Sequence, residues 1–148
     1  MASYMSRDLV KALEVTKFYP RENNSTSHRK YTNDVIGCSV TISQHKPNTP
    51  IPAGTAEEGV LDYVIFAARL GNINIASDRY GLADNVKKYI IKRHAEIKKN
   101  PINLIPQIIR KQENIETPEQ ANECLKKYLA IWKKAQEIQK SSSGKEME

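Results

Sequence analysis

The sequence predicts an α+β fold: a small antiparallel sheet, an N-terminal hairpin within the first 45 residues, packs against four to five helices. Val35–Ser43 alternates apolar and polar residues at period two, which is typical of a strand with one buried face. From residue 55 onward apolar residues recur at helical spacing, so the C-terminal two thirds should be rich in helix. A length of 148 residues with 39% hydrophobic residues suits one domain with its own core.

The N-terminal segment allows two interpretations. Ser6–Leu13 predicts a short helix capped at its first residue, or it leads into an extended run at Leu13–Tyr19. The polar stretch Arg21–Asp34 predicts a long exposed loop. Together with the strand at Val35–Ser43, the extended run suggests an antiparallel hairpin with a long tip.

A proline-containing connection separates this hairpin from a well-marked helix. Thr55 and Glu58 have the spacing of a capping box at its start, and Gly71 is a typical residue for its end. Residues 60–70 are apolar around most of the helix circumference, which predicts a position at the centre of the core. Residues 73–75 suggest a short extended segment after it.

Three more helices are predicted in the second half of the chain. A basic helix spans Asp84–Lys99 and stops at an Asn-Pro pair. A shorter helix spans Leu104–Gln112. The last helix has Thr117 as its N-cap and a proline at its first position, and it should run to about Lys140.

The composition places the chain among single-domain cytoplasmic proteins. Residues 1–140 are expected to form one domain, and the polar tail 141–148 is expected to be disordered. No apolar run is long enough to span a membrane, and the N-terminus does not resemble a secretory signal. Cys38 and Cys124 have no metal-binding or redox spacing, so both are expected to be reduced thiols.

The net charge of +6 is concentrated in the second half of the chain. Residues 1–75 contain 8 basic and 7 acidic side chains, whereas residues 76–148 contain 15 basic and 10 acidic ones. A lysine-rich helix face can neutralise phosphates and release counterions, which predicts a non-catalytic nucleic-acid-binding accessory or regulatory protein. The alternative is a solvated helix whose lysine stems shield the core. The candidate DNA or RNA contacts are Lys87, Lys88, Lys92, Arg93, Lys98 and Lys99.

A second candidate contact lies in the predicted loop. Arg21, Arg29 and Lys30 are cations beside the aromatic Tyr31, a combination that can grip a phosphate backbone or stack on a base. The alternative is an exposed loop with incidental charge.

The segment from Ala76 to Ile90 partly resembles a helix-turn-helix motif. Gly81 stands at the turn, and Leu82 falls at one of the apolar positions of that pattern. Lys87 stands where a buried aliphatic residue should pack. The resemblance is therefore confined to part of the pattern.

The last helix offers a different function. Its apolar residues recur at alternating steps of four and three, and lysines cover its outer face. This pattern predicts a protein-interaction module, such as an inhibitor, adaptor or assembly component, and allows a homodimer. The abundance of Ile, Lys and Asn, which have AT-rich codons, suggests a phage- or plasmid-encoded source. The alternative is a helix that packs on its own domain. The candidate partner-binding residues are Tyr128, Trp132, Lys126 and Lys133.

The sequence gives little support for catalysis. His28, His45 and His94 lack the spacing of metal ligands, and His94 is expected at the edge of the core. Cys38 lies within a strand pattern rather than on an activated turn, and no glycine-rich phosphate loop is present in the sequence. We therefore expect no catalytic residue, no metal and no cofactor.

Overall fold

The fold is described from a computed structural model of the chain. The structure describes the backbone of residues 3–21, 28–43 and 49–146, and their side chains except those of residues 28, 43 and 139–146. The predicted α+β fold is confirmed. The elements are β1 (Ser3–Met5), α1 (Ser6–Val15), β2 (Tyr19–Pro20), β3 (His28–Asn33), β4 (Cys38–Ser43), β5 (Pro50–Pro52), α2 (Ala53–Ala56), a π-helical segment (Glu57–Leu61), α3 (Asp62–Leu70), a 3-10 turn (Asp78–Tyr80), α4 (Asp84–Lys99), a second 3-10 turn (Pro101–Leu104), α5 (Gln107–Gln112) and α6 (Pro118–Glu146).

The strands form two small antiparallel sheets. One has the order β2-β3-β4, with Tyr31 opposite Val40, and the other pairs β1 with β5. Tyr31, Val40 and Ile42 turn toward the core, as the alternation at period two predicts for β4. A four-residue turn at 34–37 joins β3 to β4, and Gly37 provides its positive φ of 69°.

The helix predicted over Ser6–Leu13 is confirmed, and α1 continues to Val15. The extended run predicted at Leu13–Tyr19 is therefore wrong except at its end, where β2 begins at Tyr19. Leu9, Ala12 and Leu13 lie on one side of this helix and are buried, so packing outweighs the β-branched residues that follow. Met5, rather than Ser6, is the N-cap residue. Lys17, with a φ of 68°, turns the chain out of the helix and into β2.

The predicted loop at Arg21–Asp34 is wrong at its C-terminal end, where β3 forms. Residues 22–27 lie outside the described residues, so the rest of that loop prediction does too. The hairpin is therefore made by β3 and β4 around a short turn, and β2 adds two residues to its edge. Cross-strand hydrogen bonding supplies the stabilisation that the polar sequence of β3 lacks locally.

The α2, π-helical and α3 segments follow one another without a break and form the central helix, residues 53–70. Almost every side chain from Val60 to Leu70 is buried, which confirms the predicted central position. The predicted capping box at Thr55 is wrong, since the helix begins at Ala53 with Pro52 as its N-cap residue. Proline suits this position because its fixed φ leads directly from β5 into the first turn.

The connection after the central helix also departs from prediction. Residues 71–77 form turns and irregular backbone rather than an extended segment. The 3-10 turn at Asp78–Tyr80 is the only helical structure in the described chain between α3 and Gly81. A helix-turn-helix needs a full first helix there, so the motif is not formed.

The C-terminal helices agree more closely with prediction. The bounds of α4 are those predicted. The helix predicted over Leu104–Gln112 forms only from Gln107 onward, because Leu104 ends the preceding 3-10 turn and residues 105–106 are irregular. Thr117 caps α6 through a 3.2 Å hydrogen bond that its Oγ1 accepts from the backbone N–H of Gln120. This last helix extends to Glu146, six residues past the predicted end at Lys140.

Two further predictions concern membrane-spanning helices and the two cysteines. Within the described ranges, no helix is long and apolar enough to cross a membrane. Cys38 and Cys124 are free thiols. Burial raises the pKa of the Cys38 thiol to about 11, so this side chain is not an activated nucleophile at neutral pH.

Candidate nucleic-acid interface

The exposed side of α4 carries three of the predicted phosphate-binding lysines. Val86, Ile90 and Ile97 are buried on the opposite side of this helix. At about 100° per residue, Lys88, Lys92 and Lys99 fall within about 40° of one another around the helix axis. We call these three side chains the lysine row. Among the residues that the structure describes, none of the three has a carboxylate within the ion-pair distance of 4.0 Å.

Lys87 lies beside the lysine row but has a partner. Its ammonium group forms an ion pair with Asp78 of the 3-10 turn that precedes α4. The hydrogen bond from Lys87 lowers the pKa of the Asp78 carboxyl. The nearby carboxylate offsets the charge of Lys87, so this lysine attracts a phosphate less strongly than the unpaired lysines do.

Arg93 is largely covered by the protein, since its side chain is only 14% exposed. Its Nε lies 3.5 Å from Asp62 Oδ1 on the central helix, and its Nη2 donates a 2.7 Å hydrogen bond to the carbonyl oxygen of Asn103. Arg93 also forms an ion pair with Glu96. This corrects its predicted role: Arg93 joins α4 to the core.

Arg93 compensates the negative charge of Asp62, whose side chain is largely buried. Burial raises the pKa of the Asp62 carboxyl, whereas a 2.6 Å hydrogen bond donated by Tyr89 Oη and the charge of Arg93 oppose that rise. A half-buried carboxylate without these partners would be costly. Tyr89 and Arg93 are therefore a structural set on the inner side of α4.

A cleft of about 410 Å³ lies between the end of α3 and the side of α4 next to the lysine row. We call it the α3–α4 cleft. Burial, together with the charges of Arg69 and Lys98, lowers the pKa of His94, which favours the neutral imidazole. The residues that line the cleft are Ile65, Ala68, Arg69, Asn72, Ile73, Asn74, His94, Ile97, Lys98 and Leu104, and this lining contains no carboxylate.

Sequence reasoning found Lys98 but missed the rest of the polar lining. Arg69 is the one charged residue in the buried stretch Tyr63–Leu70, and that exception is a signal which the sequence does contain. Asn72 has a φ of 54°, a left-handed conformation that asparagine tolerates better than most residues. His94 lies at the surface of the cleft, at the edge of the core as predicted.

The residues of the predicted loop occupy different environments. Arg21 forms an ion pair with Asp34, and Arg29 and Lys30 are exposed on β3. Tyr31 is 2% exposed and belongs to the core. Its ring is therefore unavailable for stacking on a base, which corrects the predicted role of this residue.

The central helix separates these strand residues from the lysine row. Asp62 and Arg69 face α4, whereas Tyr63 lines a groove with Val40 of β4. Because successive helical residues are about 100° apart, these contacts place α4 and the sheet on different sides of the helix. Arg29 and Lys30 therefore do not extend the lysine row.

The predicted partner-binding residues of α6 comprise two aromatic side chains that pack on the core and two lysines on the outer side. Trp132 is 2% exposed, and Tyr128 packs edge-on against Phe66 with ring centroids 5.3 Å apart. Both aromatic side chains anchor α6 on its own domain, as the alternative interpretation predicts. On the outer side, Lys126 Nζ lies 3.5 Å from Glu123 Oε1, and Lys133 is exposed.

The described residues were compared with the ligand sets of metal sites and with known proteins. They contain no group of three or more His, Cys, Asp or Glu side chains arranged to hold a metal ion. No known protein family, curated protein or solved structure matches this chain. The lysine row and the α3–α4 cleft are therefore the candidate functional features of the described residues.

Proposed function

We propose that this protein is a non-catalytic nucleic-acid-binding accessory or regulatory protein that contacts phosphates through the lysine row. The observation that carries the proposal is the contrast on α4 between paired and unpaired cations. Lys87 and Arg93 are neutralised by carboxylates, whereas Lys88, Lys92 and Lys99 have no such partner within the described residues. The free thiols of both cysteines fit a reducing compartment such as the cytoplasm.

The dimensions of the row suit a phosphate backbone. Lys88 and Lys99 are separated along α4 by about 17 Å, at 1.5 Å per residue. That length follows several phosphates of one strand. Lysine ammonium groups on flexible stems contact phosphates without reading bases, so we expect binding with little sequence preference.

Titration of a fluorescently labelled duplex and a labelled single strand at several salt concentrations tests this function. The affinity should fall steeply with salt, and the triple variant K88Q/K92Q/K99Q should weaken binding at least about tenfold at about 50 mM salt. The slope of log K against log salt should become less steep by about 3, since each lysine accounts for about one released counterion.

A matched control distinguishes this interface from general charge attraction. K111Q/K126Q/K133Q removes the same charge from exposed positions on α5 and α6. It should leave most of the affinity intact. Equal losses in the two triple variants, or no binding by the unaltered protein at about 50 mM salt, would contradict the proposal.

A second candidate function is supported by exposed apolar residues on α6. Ile131 and Ile138 are 39% and 58% exposed, lie seven residues apart and therefore share one side of the helix. Lys134 adjoins them on the helix surface, as does Lys127, whose Nζ lies 2.8 Å from Glu113 Oε1. An apolar strip beside lysines is complementary to an amphipathic helix with acidic flanks, so we propose such a helix of a partner protein as the occupant.

A synthetic helical peptide with leucine seams and glutamate flanks is the probe for this second function. Its binding should be lost in I131S/I138S and retained in I108S, which alters a similarly exposed isoleucine on α5. No binding, or equal binding to all three proteins, would contradict it. Light scattering that shows a dimer abolished by I131S/I138S would instead identify a second copy of this chain as the occupant.

A further inference from the structure

We propose that the α3–α4 cleft binds a phosphomonoester that carries a planar base, that is, a nucleotide. The ligand is either a free nucleotide or the phosphorylated end of a nucleic-acid strand. The second of these rests on the proposed function, because the strand would continue from the cleft along the lysine row. The first does not depend on it.

The charge of the cleft selects a phosphate. Arg69 comes from the end of α3, whereas His94 and Lys98 come from α4. Within the described residues, neither Arg69 nor Lys98 has a carboxylate within 4.0 Å, so no protein anion neutralises these two cations. A phosphate dianion would neutralise both cations, and the arginine guanidinium can bind it through two parallel hydrogen bonds.

The remaining lining selects a base. Ile73, Ile97 and Leu104 provide apolar surface for the faces of a ring. The side-chain amides of Asn72 and Asn74 can both donate and accept hydrogen bonds, as the edge of a base requires. A cleft of about 410 Å³ lies within the usual size range of small-molecule sites.

Backbone hydrogen bonds hold the turn that carries Asn72 and Asn74. The N–H of Gly71 donates to the carbonyl oxygen of Ala67 at 2.9 Å, and the N–H of Ile73 donates to that of Ala68 at 2.8 Å. Gly71 lies against the buried ring of Trp132. These contacts fix the turn from which Asn72 and Asn74 project, so little ordering is needed on binding.

The cleft and the lysine row are adjacent but separable. Lys98 lines the cleft, and the next residue, Lys99, belongs to the row. Substitutions in one set leave the other set intact. The two proposals can therefore fail independently.

Nuclear magnetic resonance titration with adenosine monophosphate, adenosine and inorganic phosphate is the direct test. Adenosine monophosphate should give saturable shifts at residues 69–74 and 94–98, and it should bind at least tenfold more tightly than either fragment. R69Q/K98Q should weaken it at least tenfold, and R69K should retain more affinity than R69Q. K88Q/K92Q/K99Q should leave it unchanged, as should the charge-matched control K111Q/K126Q.

Oligonucleotides with and without a 5′-phosphate distinguish the two sources of the ligand. A gain in affinity from the 5′-phosphate that disappears in R69Q/K98Q assigns the cleft to a strand end. Binding of adenosine monophosphate without that gain assigns it to a free nucleotide. The proposal is overturned if no probe gives saturable shifts, if adenosine or inorganic phosphate binds as tightly as the nucleotide, or if a folded R69Q/K98Q binds it normally.

Discussion

Lys92 and Arg93 are neighbours in the chain, yet they lie on different faces of α4 and have opposite environments. Lys92 is exposed in the lysine row, whereas Arg93 is held between Asp62, Glu96 and the carbonyl oxygen of Asn103. A rotation of about 100° around the helix separates a side chain available to a ligand from one that stabilises the fold. The basic residues of this helix are therefore two functional sets, which sequence proximity alone does not distinguish.

The largest expected effect on stability comes from substituting Arg93, which lies on the inner face of α4. Arg93→Gln removes the charge that offsets the half-buried carboxylate of Asp62, so it should lower the free energy of unfolding by about 3 kcal/mol. Lys92→Gln makes the same change of charge one residue earlier, on the exposed face, and should change stability by less than about 0.5 kcal/mol. Urea denaturation measures both. Equal effects in the two variants would show that the two faces are not distinct.

The next effect concerns the packing that supports the cleft. A Cβ at Gly71 would lie 2.8 Å from Cζ2 of the buried Trp132, so Gly71→Ala should destabilise the protein by about 2 kcal/mol through overpacking. Gly59→Ala is the matched control, because a Cβ there meets nothing within 4 Å. The control should be neutral or stabilising by up to about 1 kcal/mol. Thermal unfolding that gives both variants the same midpoint would refute the argument.

Substitution of the lysine row should weaken nucleic-acid binding but leave stability almost unchanged. K88Q/K92Q/K99Q should change the free energy of unfolding by less than about 0.5 kcal/mol, since exposed and unpaired lysines contribute little to stability. Denaturation and the salt-dependent titration on the same protein samples compare the two properties. A marked loss of stability would place these lysines among the structural residues and remove the basis of the binding interface.

The helices were predictable where a local signal specifies them. The bounds of α4 follow from its apolar stripe and the Asn-Pro pair, and the start of α6 follows from Thr117 and the proline after it. Strand β3 was not predictable, because one inward aromatic, Tyr31, is its main apolar residue and its partner strand supplies the pairing. Non-local hydrogen bonds leave no periodic pattern in the strand that receives them.

The inward position of Arg93 on α4 can be predicted from the sequence. Arg93 lies three residues after Ile90 and four before Ile97, so it belongs to the buried stripe that these residues define. The cleft itself was not predictable, because Arg69 and Asn72 meet His94 only through the packing of α3 on α4.

The smallest expected effect comes from His94, which lies at the edge between the two sets on α4. Burial and the cations that face it, Arg69 from α3 and Lys98 from its own helix, lower its pKa below the ordinary value of 6.5 in the folded protein. The unfolded chain therefore takes up this proton at higher pH than the folded one. As the pH falls below about 6.5, stability is lost until the folded state is protonated as well. His94→Gln should remove this contribution, so its stability should decline less between about pH 7.5 and about pH 5.

Sulfate makes the measurement specific to the cleft, because its charge stays constant over this pH range. Bound sulfate would favour protonated His94, so it should raise the unfolding temperature of the unaltered protein more at about pH 5 than at about pH 7.5. Sodium chloride at equal ionic strength controls for screening. His94→Gln should show a smaller difference between the two pH values, and Arg69→Gln should reduce stabilisation at both. If His94→Gln behaved like the unaltered protein, the histidine would not take part in anion binding, and the cleft would depend on Arg69 and Lys98 alone.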